Sequence, residues 1–502
     1  MAIIYRVSGN RLLQFGTNSN ETMNGDVYYD GNTRQNDEIH GRGGDDSLNG
    51  RGGKNILLGQ GGDDYITVGN YSVYDRAYGG KGDDTFTVGD IPTHSRRIHL
   101  VSGGADDDTV ILSLLTAGIT LIDDVVGVPG ARVARITEVE RLIGTQHNDR
   151  IQLSGSLETI DGGEGDDTID ASGLKYSHST SLAGGRGSDT ITGSFRDDFL
   201  IDGDRLTPPT LNRLHYESDF LNGGRGHDTL VSLSGDDVVR GGGGSDSFYS
   251  LSGDDRLVGG SGNDDFYFTY PEVESYSDIH SINSLARAQA GLTGISINGG
   301  QGQDTLHLGT TYTSTLNLDI DLDRGVHIEL ERGFGIELGT RSEGRFTIRN
   351  VENVNGTARD DTLIGSTRSN HLFGFFGSDT LDGRGGADRL NGAGGNDILI
   401  GGRGNDILIG GQGNDTLTGN AGADRFEFGS IRGGGKDEIT DFHIGQRDLI
   451  VMYGVSFADL ILLPDMSTGG TYVNYVDGSI RLPGVSIDFL NETYFDFVDL
   501  GV

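Results

Sequence analysis

Apolar and polar positions repeat every nine residues along much of the chain, most regularly between residues 356 and 427. Each repeat has a Gly-rich stretch followed by a triplet with an apolar middle residue. In this segment the middle residues are Leu363, Leu372, Leu381, Leu390, Leu399, Leu408, Leu417 and Phe426. Side chains alternate between the faces of a strand, so the triplet predicts a very short strand with one inward residue. The Gly-rich stretch predicts a turn, because Gly adopts positive φ at little steric cost.

A carboxylate occupies the sixth place of nearly every repeat in this segment. The residues are Asp361, Asp379, Asp388, Asp397, Asp406, Asp415 and Asp424. Two repeats make one coil of a flattened spiral, so residues 18 apart stack on the same edge. Stacked carboxylates and turn carbonyls supply the oxygen ligands that Ca²⁺ prefers. The nonapeptide is a known signature of calcium-binding parallel β-rolls, and multiple Ca²⁺ ions are therefore expected. Asn370 removes one charge from the series, so we expect its shared site to be weaker or empty.

Further copies of the repeat lie outside this segment. The ligands predicted there are Asp37, Asp46, Asp64, Asp84, Asp167, Asp189, Asp228, Asp237, Asp246, Asp255 and Asp264. Three of these, Asp84, Asp167 and Asp189, belong to isolated copies, and further isolated copies carry Asp108, Asp149, Asp198 and Asp304. A site needs a neighbouring coil at the right height, so a solvated acidic turn remains the alternative for isolated copies.

The pattern predicts an all-β fold, a right-handed parallel β-roll with irregular insertions and a C-terminal cap. The predicted segments are N-terminal repeats (1–93), an irregular solenoid (94–222), a middle roll (223–267), an irregular segment (268–355), a C-terminal roll (356–427) and the cap (428–502). Alternation at 315–323 and 345–354 predicts longer strands, whereas 281–292 looks helical. The similar stretches 136–151 and 348–363 both lead from a strand into a new repeat.

Composition narrows the class of protein. The chain has 502 residues, 86 Gly, no Cys and a formal charge of −37. The lack of Cys excludes disulfides, thiolate catalysis and Cys-ligated zinc. The acidity disfavours nucleic acid as a partner.

The longest apolar run, 110–122, is too short to span a bilayer, and the start of the sequence lacks the features of a signal peptide. Stacked Asp residues would repel one another without cations, so the metal-free chain is expected to be largely unfolded.

These repeats resemble those of the RTX (repeats-in-toxin) calcium-binding proteins. The tail is similar to the C-terminal module of serralysin-type secreted proteases, at Asp437, Ile439, Asp441, Phe442, Gly445, Asp448 and Ile450. The resemblance implies export through a type I secretion apparatus, followed by folding on external calcium. It does not extend to the catalytic chemistry of such proteins. The sequence contains no zinc-protease HExxH, no lipase Gly-x-Ser-x-Gly and no long apolar pore-forming region.

The sequence therefore predicts a secreted calcium-binding protein that acts at the cell surface or in the matrix, in adhesion, surface-layer or polysaccharide association. One alternative is an extracellular glycanase or lyase, and a second is an RTX cytotoxin. An enzyme could draw acid, base and Tyr groups from His215, Tyr216, Glu217, His227, Tyr276, Asp278 and His280. Nothing in the sequence fixes the mutual geometry of these residues, so no catalytic residue is assigned. Arg residues at 95–97, with Arg132, Arg135, Arg141 and Arg150, could bind an acidic polysaccharide or only balance neighbouring carboxylates.

Overall fold

A computed structural model describes most of the chain as short β-strands joined by tight turns. The described residues are 4–8, 11–17, 19–24, 36–50, 53–69, 74–89, 98–129, 131–174, 179–203, 217–233, 235–250, 255–267, 296–301, 303–307, 327–329, 347–356, 358, 360–429 and 434–498. The chain divides into two compact units, residues 1–243 and 244–502.

Strands of three to seven residues build the first unit. They are β1 (Ile4–Ser8), β2 (Arg11–Phe15), β3 (Thr22–Asn24), β4 (Glu38–His40), β5 (Ser47–Asn49), β6 (Ile56–Leu58), β7 (Tyr65–Val68), β8 (Arg76–Lys81), β9 (Thr85–Val88), β10 (His99–Ala105), β11 (Thr109–Ile111), β12 (Thr120–Ile122), β13 (Val125–Val128), β14 (Ala131–Thr137), β15 (Arg141–Thr145), β16 (Arg150–Gln152), β17 (Thr159–Glu164), β18 (Thr168–Asp170), β19 (Ser181–Arg186), β20 (Thr190–Thr192), β21 (Phe199–Ile201), β22 (Phe220–Arg225), β23 (Thr229–Ser232) and β24 (Val238–Gly243).

Alternate strands of the first unit pair in parallel, as a spiral of short coils requires. One sheet runs β3-β5-β7-β9-β11-β15-β17-β19-β21-β23. The other contains the parallel series β2-β4-β6-β8-β10-β14 and β16-β18-β20-β22-β24. Antiparallel pairing of β12, β13 and β14, with β12 beside β16, joins the two series. In its described residues, the segment predicted to be irregular therefore keeps parallel coils around one antiparallel excursion.

The second unit uses the same short strands. They are β25 (Ser247–Ser250), β26 (Arg256–Ser261), β27 (Asp265–Tyr267), β28 (Ser296–Gln301), β29 (Thr305–His307), β30 (His327–Glu329), β31 (Thr347–Arg349), β32 (Asn353–Asn355), β33 (Thr362–Ile364), β34 (His371–Phe376), β35 (Thr380–Asp382), β36 (Arg389–Gly394), β37 (Ile398–Arg403), β38 (Ile407–Gln412), β39 (Thr416–Ala421), β40 (Arg425–Gly429), β41 (Lys436–Ile439), β42 (Leu449–Tyr453), β43 (Ile461–Asp465), β44 (Gly470–Tyr475), β45 (Gly478–Leu482) and β46 (Phe495–Val498). Near the C-terminus the 3₁₀ helices are Ile444–Gln446, Phe457–Asp459, Ile487–Phe489 and Glu492–Tyr494.

Parallel pairing again dominates the second unit. One series runs β25-β27-β29-β32-β34-β36-β38-β40-β42-β46, and a shorter one runs β26-β28-β31. A third runs β30-β33-β35-β37-β39-β41-β45 and ends in the antiparallel strands β44 and β43. Of the strand predicted at 345–354, the described residues form two short strands, β31 and β32. The predicted helix at 281–292 and strand at 315–323 lie outside the described residues.

The core consists of the inward residue of each triplet, as the sequence predicted. In the C-terminal array Leu381, Leu399 and Leu417 lie in register on successive coils and are fully buried. Aromatic residues continue the same stacking elsewhere, with the rings of Phe248 and Phe266 4.7 Å apart. A core one residue deep explains how a chain with only 34% hydrophobic residues can fold.

Close stacking of the turns makes one glycine position indispensable. Gly404 has φ 131°, and a Cβ there would lie 1.4 Å from the carbonyl oxygen of Gly386 in the preceding coil. Gly385, in contrast, has no positive φ, and its nearest described neighbour would lie 3.7 Å from an added Cβ.

We expect Gly404→Ala to destabilise the calcium-loaded protein by about 2–4 kcal/mol, because strain at positive φ adds to an overlap with backbone. Gly385→Ala is the matched control and should leave stability within about 0.5 kcal/mol. Thermal unfolding of both variants in saturating calcium checks the difference. Equal unfolding temperatures would contradict the close packing of these turns.

Polar side chains cover the end of the last regular coil. Asp441 accepts hydrogen bonds from the backbone N–H groups of Gly419 (2.9 Å) and Asn420 (2.7 Å). Gln446 accepts another from Gly422 at 2.9 Å. These contacts satisfy backbone donors that have no further regular turn to bond. The segment after the repeats therefore caps this coil.

Candidate metal sites

The residues at the sixth place of each repeat stack along the edges of the coils, and we call this series the Asp row. At most places the carboxylate Oδ1 accepts a hydrogen bond from the backbone N–H of the row residue one coil earlier. Asp379 accepts from Asp361, Asp397 from Asp379, and Asp406 from Asp388, each at 2.8 Å. The predicted spacing of 18 residues thus places successive carboxylates beside one another.

The other carboxylate oxygen, Oδ2, has no hydrogen-bond partner among the described residues at many places in the row. These residues are Asp46, Asp64, Asp84, Asp108, Asp167, Asp189, Asp264, Asp304, Asp379, Asp388, Asp397, Asp406, Asp415 and Asp424. All of them are at most 2% exposed. A buried, ionised oxygen without a partner is costly, so the arrangement suits a bound cation.

Oxygens from two coils converge beside the first glycine of a repeat. A Cβ on Gly401 would lie 2.5 Å from Asp406 Oδ2 and 2.9 Å from the carbonyl oxygen of Gly419. The absence of a side chain on this glycine therefore leaves a space bounded by a carboxylate and a carbonyl. Gly383 repeats the arrangement, with Asp388 Oδ2 at 2.4 Å and the Gly401 carbonyl oxygen at 2.7 Å. Carboxylate and carbonyl oxygens are the donor set of a hard cation such as Ca²⁺.

Burial alters the acidity of the Asp row. It is the main cause that raises the pKa of Asp379 to about 8, and the nearby carboxylates of Asp361 and Asp397 also raise it. The pKa of Asp189 is likewise raised to about 8, chiefly by burial and also by Asp167. A metal-free row would thus hold protons near neutral pH, and calcium has to displace them.

All eighteen sequence-predicted ligands belong to the row and are at most 2% exposed. Their surroundings differ in detail. The N–H of Asp37 donates to Asn55 Oδ1 at 3.0 Å, so the next member there is an amide. Asp237 and Asp255 each accept a hydrogen bond at Oδ2 from a Ser hydroxyl, at 3.0 Å and 2.6 Å.

Irregular spacing conceals further members of the row from sequence analysis. Asp75, Asp219, Asp437 and Asp448 accept the same backbone hydrogen bond as the regular members, from residues 20 to 30 positions earlier. Glutamates also join it, beginning with Glu21, whose N–H donates to Asp46 Oδ1 at 2.8 Å. Glu140 accepts from Asp108 at 3.0 Å, and Glu352 accepts from Asp304 at 3.2 Å. Glu140 and Glu352 lie in the similar stretches 136–151 and 348–363, and this similarity is the sequence feature that could have identified them.

Within the described part of the chain, three buried carboxylates come together away from the regular spacing. One oxygen each of Asp202, Asp219 and Asp237 lies within 4.8 Å of the other two. Asp202 does not occupy the sixth place of a repeat, so sequence analysis did not select it. Of the residues considered for an enzyme, Glu217 and His227 are exposed, and His215, Tyr216, Tyr276, Asp278 and His280 lie outside the described residues.

We expect Asp64→Asn to raise the calcium concentration needed for folding by about tenfold, equivalent to about 1.4 kcal/mol, because it removes a buried ligand oxygen. Asp63→Asn is the matched control, since it makes the same charge change on the adjacent, exposed residue. Calcium titrations followed by circular dichroism compare the two. Equal shifts would show that overall charge, and not ligation by Asp64, sets the calcium requirement.

Parallel coils and rows of convergent oxygens define a calcium-binding β-solenoid. The family of the RTX calcium-binding nonapeptide repeat (4 copies) matches residues 33–66, 74–90, 139–173, 181–204, 217–248, 232–266, 355–390 and 391–426. The chain therefore belongs to the RTX calcium-binding family, whose repeats bind several Ca²⁺ ions and imply a secreted protein. None of the described helices is long and apolar enough to cross a membrane.

Comparison with individual proteins adds little beyond the family. No curated protein matches the chain. Among solved structures, the extracellular lipase LipA from Serratia marcescens is similar at 17% identity and a TM-score of 0.18. The alignment covers 62% of this chain and 45% of the lipase chain.

Proposed function

We propose that this protein is a calcium-dependent extracellular scaffold. It acts at the cell surface or in the matrix, in adhesion, surface-layer or polysaccharide association. The observation that carries the proposal is the Asp row, whose buried, open Oδ2 atoms recur in both units. Calcium bound along the row would make folding depend on the medium outside the cell, because metal-binding energy becomes folding energy.

Exposed arginines support an acidic polysaccharide as the partner. Arg132 and Arg135 lie on β14 and Arg150 lies on β16, and all three side chains are exposed. Guanidinium groups bind carboxylates in a bidentate manner. Arg141 is also exposed but lies 3.5 Å from Asp107, so part of its charge is balanced within the chain. The first three residues are therefore the better candidates for contacts with the polysaccharide.

The segment 428–502 is proposed to serve export by a type I secretion apparatus. Its resemblance to the serralysin-type module supports this role. The polar contacts of Asp441 and Gln446 give the same segment a structural role in the folded protein, as the cap of the last regular coil. Export of a fusion protein that carries these residues, with and without the segment, would test the first role separately.

Time-resolved viscosity of acidic exopolysaccharides, mixed with the calcium-loaded full chain, tests the scaffold function. We expect an immediate, stable rise or an unchanged viscosity, together with co-sedimentation of protein and polysaccharide. A progressive fall that stops on calcium removal would mean depolymerisation and would replace the scaffold with an enzyme. Failure to co-sediment with any of the acidic polysaccharides would contradict polysaccharide association.

A charge-matched pair of variants locates the contact. Replacement of Arg132, Arg135 and Arg150 by Gln should reduce co-sedimentation at least tenfold. The control replaces the exposed residues Arg196, Arg256 and Arg403 by Gln, which changes the net charge equally. Equal losses in both would indicate a general charge effect instead of a specific surface. Circular dichroism in calcium verifies that both variants fold.

A further inference from the structure

Most turns of the Asp row share one backbone feature, and we call them open turns. The residue four positions before the Asp has a positive φ. These residues are Arg42, Gln60, Gly80, Gly104, Gly163, Gly185, Gly260, Phe375, Arg384, Ala393, Gly402, Gly411 and Asn420. The Asp that follows each of them leaves its Oδ2 without a hydrogen-bond partner among the described residues. Non-glycine residues adopt this conformation at some cost, so its recurrence at one position indicates that the turn requires it.

In the described part of the chain, four other turns have Ser or Thr at that position, and we call them closed turns. They end at Glu21, Asp149, Asp198 and Asn370, and the residues four before these are Thr17, Thr145, Ser194 and Ser366. None of these four Ser or Thr residues has a positive φ. In each closed turn the Ser or Thr donates from both its backbone N–H and its hydroxyl to the side chain four residues later.

The hydrogen bonds of a closed turn occupy the oxygen that an open turn presents. Thr145 donates from N to Asp149 Oδ2 at 2.7 Å and from its hydroxyl to Oδ1 at 2.8 Å. Ser194 makes the same pair with Asp198, at 2.5 Å and 3.1 Å.

Amide and glutamate side chains are held in the same way. Ser366 donates from N to Asn370 Oδ1 at 2.7 Å and from its hydroxyl at 3.2 Å. Asn370 Nδ2 in turn donates to the Glu352 carbonyl at 2.8 Å, so both ends of the amide have partners. Thr17 donates to both carboxylate oxygens of Glu21.

The same peptide N–H has a different acceptor in the two kinds of turn. In an open turn Gln60 donates its N–H across to the carbonyl oxygen of Gly79 in the next coil, at 2.6 Å. In a closed turn the N–H of Thr145 points to the carboxylate of its own turn. Two donors then supply the positive partial charge that a cation would otherwise provide.

We propose that the residue four positions before the row member determines whether a turn binds calcium. The closed turns at Glu21, Asp149, Asp198 and Asn370 take no calcium and are held by their own hydrogen bonds. The inference rests on calcium binding by the open turns. It decides between the two alternatives that the repeat pattern leaves open for Asp149 and Asp198, and it attributes the loss of the Asn370 site to the turn as well as to the missing charge.

Opening a closed turn should create a calcium site. Ser194→Gly removes the hydroxyl and permits positive φ, so Asp198 could share an ion with Asp228, which already accepts its N–H at 2.8 Å. Ser194→Thr is the matched control, because it keeps the hydroxyl and both donors of a closed turn, as Thr145 does. Native mass spectrometry of the calcium-saturated full chain should count one more ion in Ser194→Gly and no change in Ser194→Thr.

The turn at Asn370 gives an independent test. Asn370→Asp alone restores the charge but keeps the two donors of Ser366, so its ion count should equal that of the unaltered chain. The double variant Ser366→Gly/Asn370→Asp should add one ion. An extra ion in Asn370→Asp or Ser194→Thr, or none in either opened turn of a folded variant, would overturn the inference. An unaltered chain that binds no calcium would instead contradict the calcium function itself.

Discussion

Removal of calcium at neutral pH is expected to abolish the β-sheet circular dichroism of the chain. The reason is the composition of the Asp row, in which buried carboxylates lie directly beside one another. Burial and neighbouring carboxylates raise the pKa of Asp84, Asp167 and Asp379 to about 8 in the metal-free fold. The ordinary value for Asp is 3.8, so each group favours the unfolded chain at neutral pH.

The size of these pKa shifts determines whether the metal-free chain can fold at neutral pH. One pKa unit corresponds to about 1.4 kcal/mol, so a shift from 3.8 to about 8 costs roughly 4 kcal/mol at neutral pH. A folded domain is stable by only about 5–15 kcal/mol, so a few such carboxylates suffice to unfold it. Calcium reverses the balance because it binds the ionised carboxylates of the folded state.

Titration of calcium into chelator-treated protein, followed by far-ultraviolet circular dichroism, measures this directly. The sheet signal should return cooperatively with calcium. Magnesium at the same concentration should restore much less, because it is smaller and demands a stricter octahedral arrangement of ligands. A native spectrum in excess EGTA at neutral pH would contradict the coupling of calcium binding and folding.

The constant period made the core and the regular part of the Asp row predictable from sequence. Leu399 and Leu417 are paired across neighbouring coils because both occupy the eighth place, 18 residues apart. Asp388 and Asp406 are paired for the same reason. Where repeats follow one another without interruption, counting along the sequence is equivalent to following the backbone pairing.

Counting fails where a coil carries an insertion. Asp189 and Asp219 are 30 residues apart and still adjacent, because strand pairing and not sequence distance places them. Glu140 joins the row by its longer side chain, which a search for Asp at the sixth place does not detect. A residue of a different type at an irregular interval carries no periodic signal.

Local conformation was the second feature that the repeat pattern did not predict. Asp149 and Asp198 have the same place in the repeat as Asp397, but their turns are closed by Thr145 and Ser194. The distinction depends on the φ angle four residues before the Asp, where Gly, Arg, Ala and Phe all occur in open turns. In the described turns, the structure shows that Ser or Thr at this position supplies the two donors that close the turn.

Acidification of the metal-free protein is expected to restore folding. The row carboxyls have pKa values raised in the folded state, for example to about 6 for Asp46, 7 for Asp388 and 8 for Asp189. The folded chain therefore binds protons more tightly than the unfolded chain. Stability from these groups is fully present below the ordinary pKa of 3.8 and is lost as pH rises through about 6 to 8.

Other carboxyls limit the gain at the acid end. Hydrogen bonds from Ser467 and Thr468 hold the pKa of Asp465 well below its usual range, and hydrogen bonds from Thr17 lower that of Glu21. These groups stabilise the fold only while ionised, so their contribution falls as pH falls toward and below the ordinary values. The metal-free fold should therefore be most stable near pH 4, where the gain from the row is nearly complete and the loss from these ionised groups begins.

Circular dichroism of protein freed of calcium by exhaustive dialysis, recorded between about pH 8 and pH 5, checks the prediction. The sheet signal should increase as pH falls. The free energy of unfolding should rise by about 1.4 kcal/mol per pH unit for each group that takes up a proton on folding. Trace calcium cannot mimic this result, because protons compete with calcium and weaken its binding over the same range. The double variant Asp379→Asn/Asp397→Asn lacks two titrating groups, so its stability should depend less steeply on pH. A metal-free chain that stays equally unfolded down to pH 5 would show that repulsion between the row carboxylates is not what unfolds it.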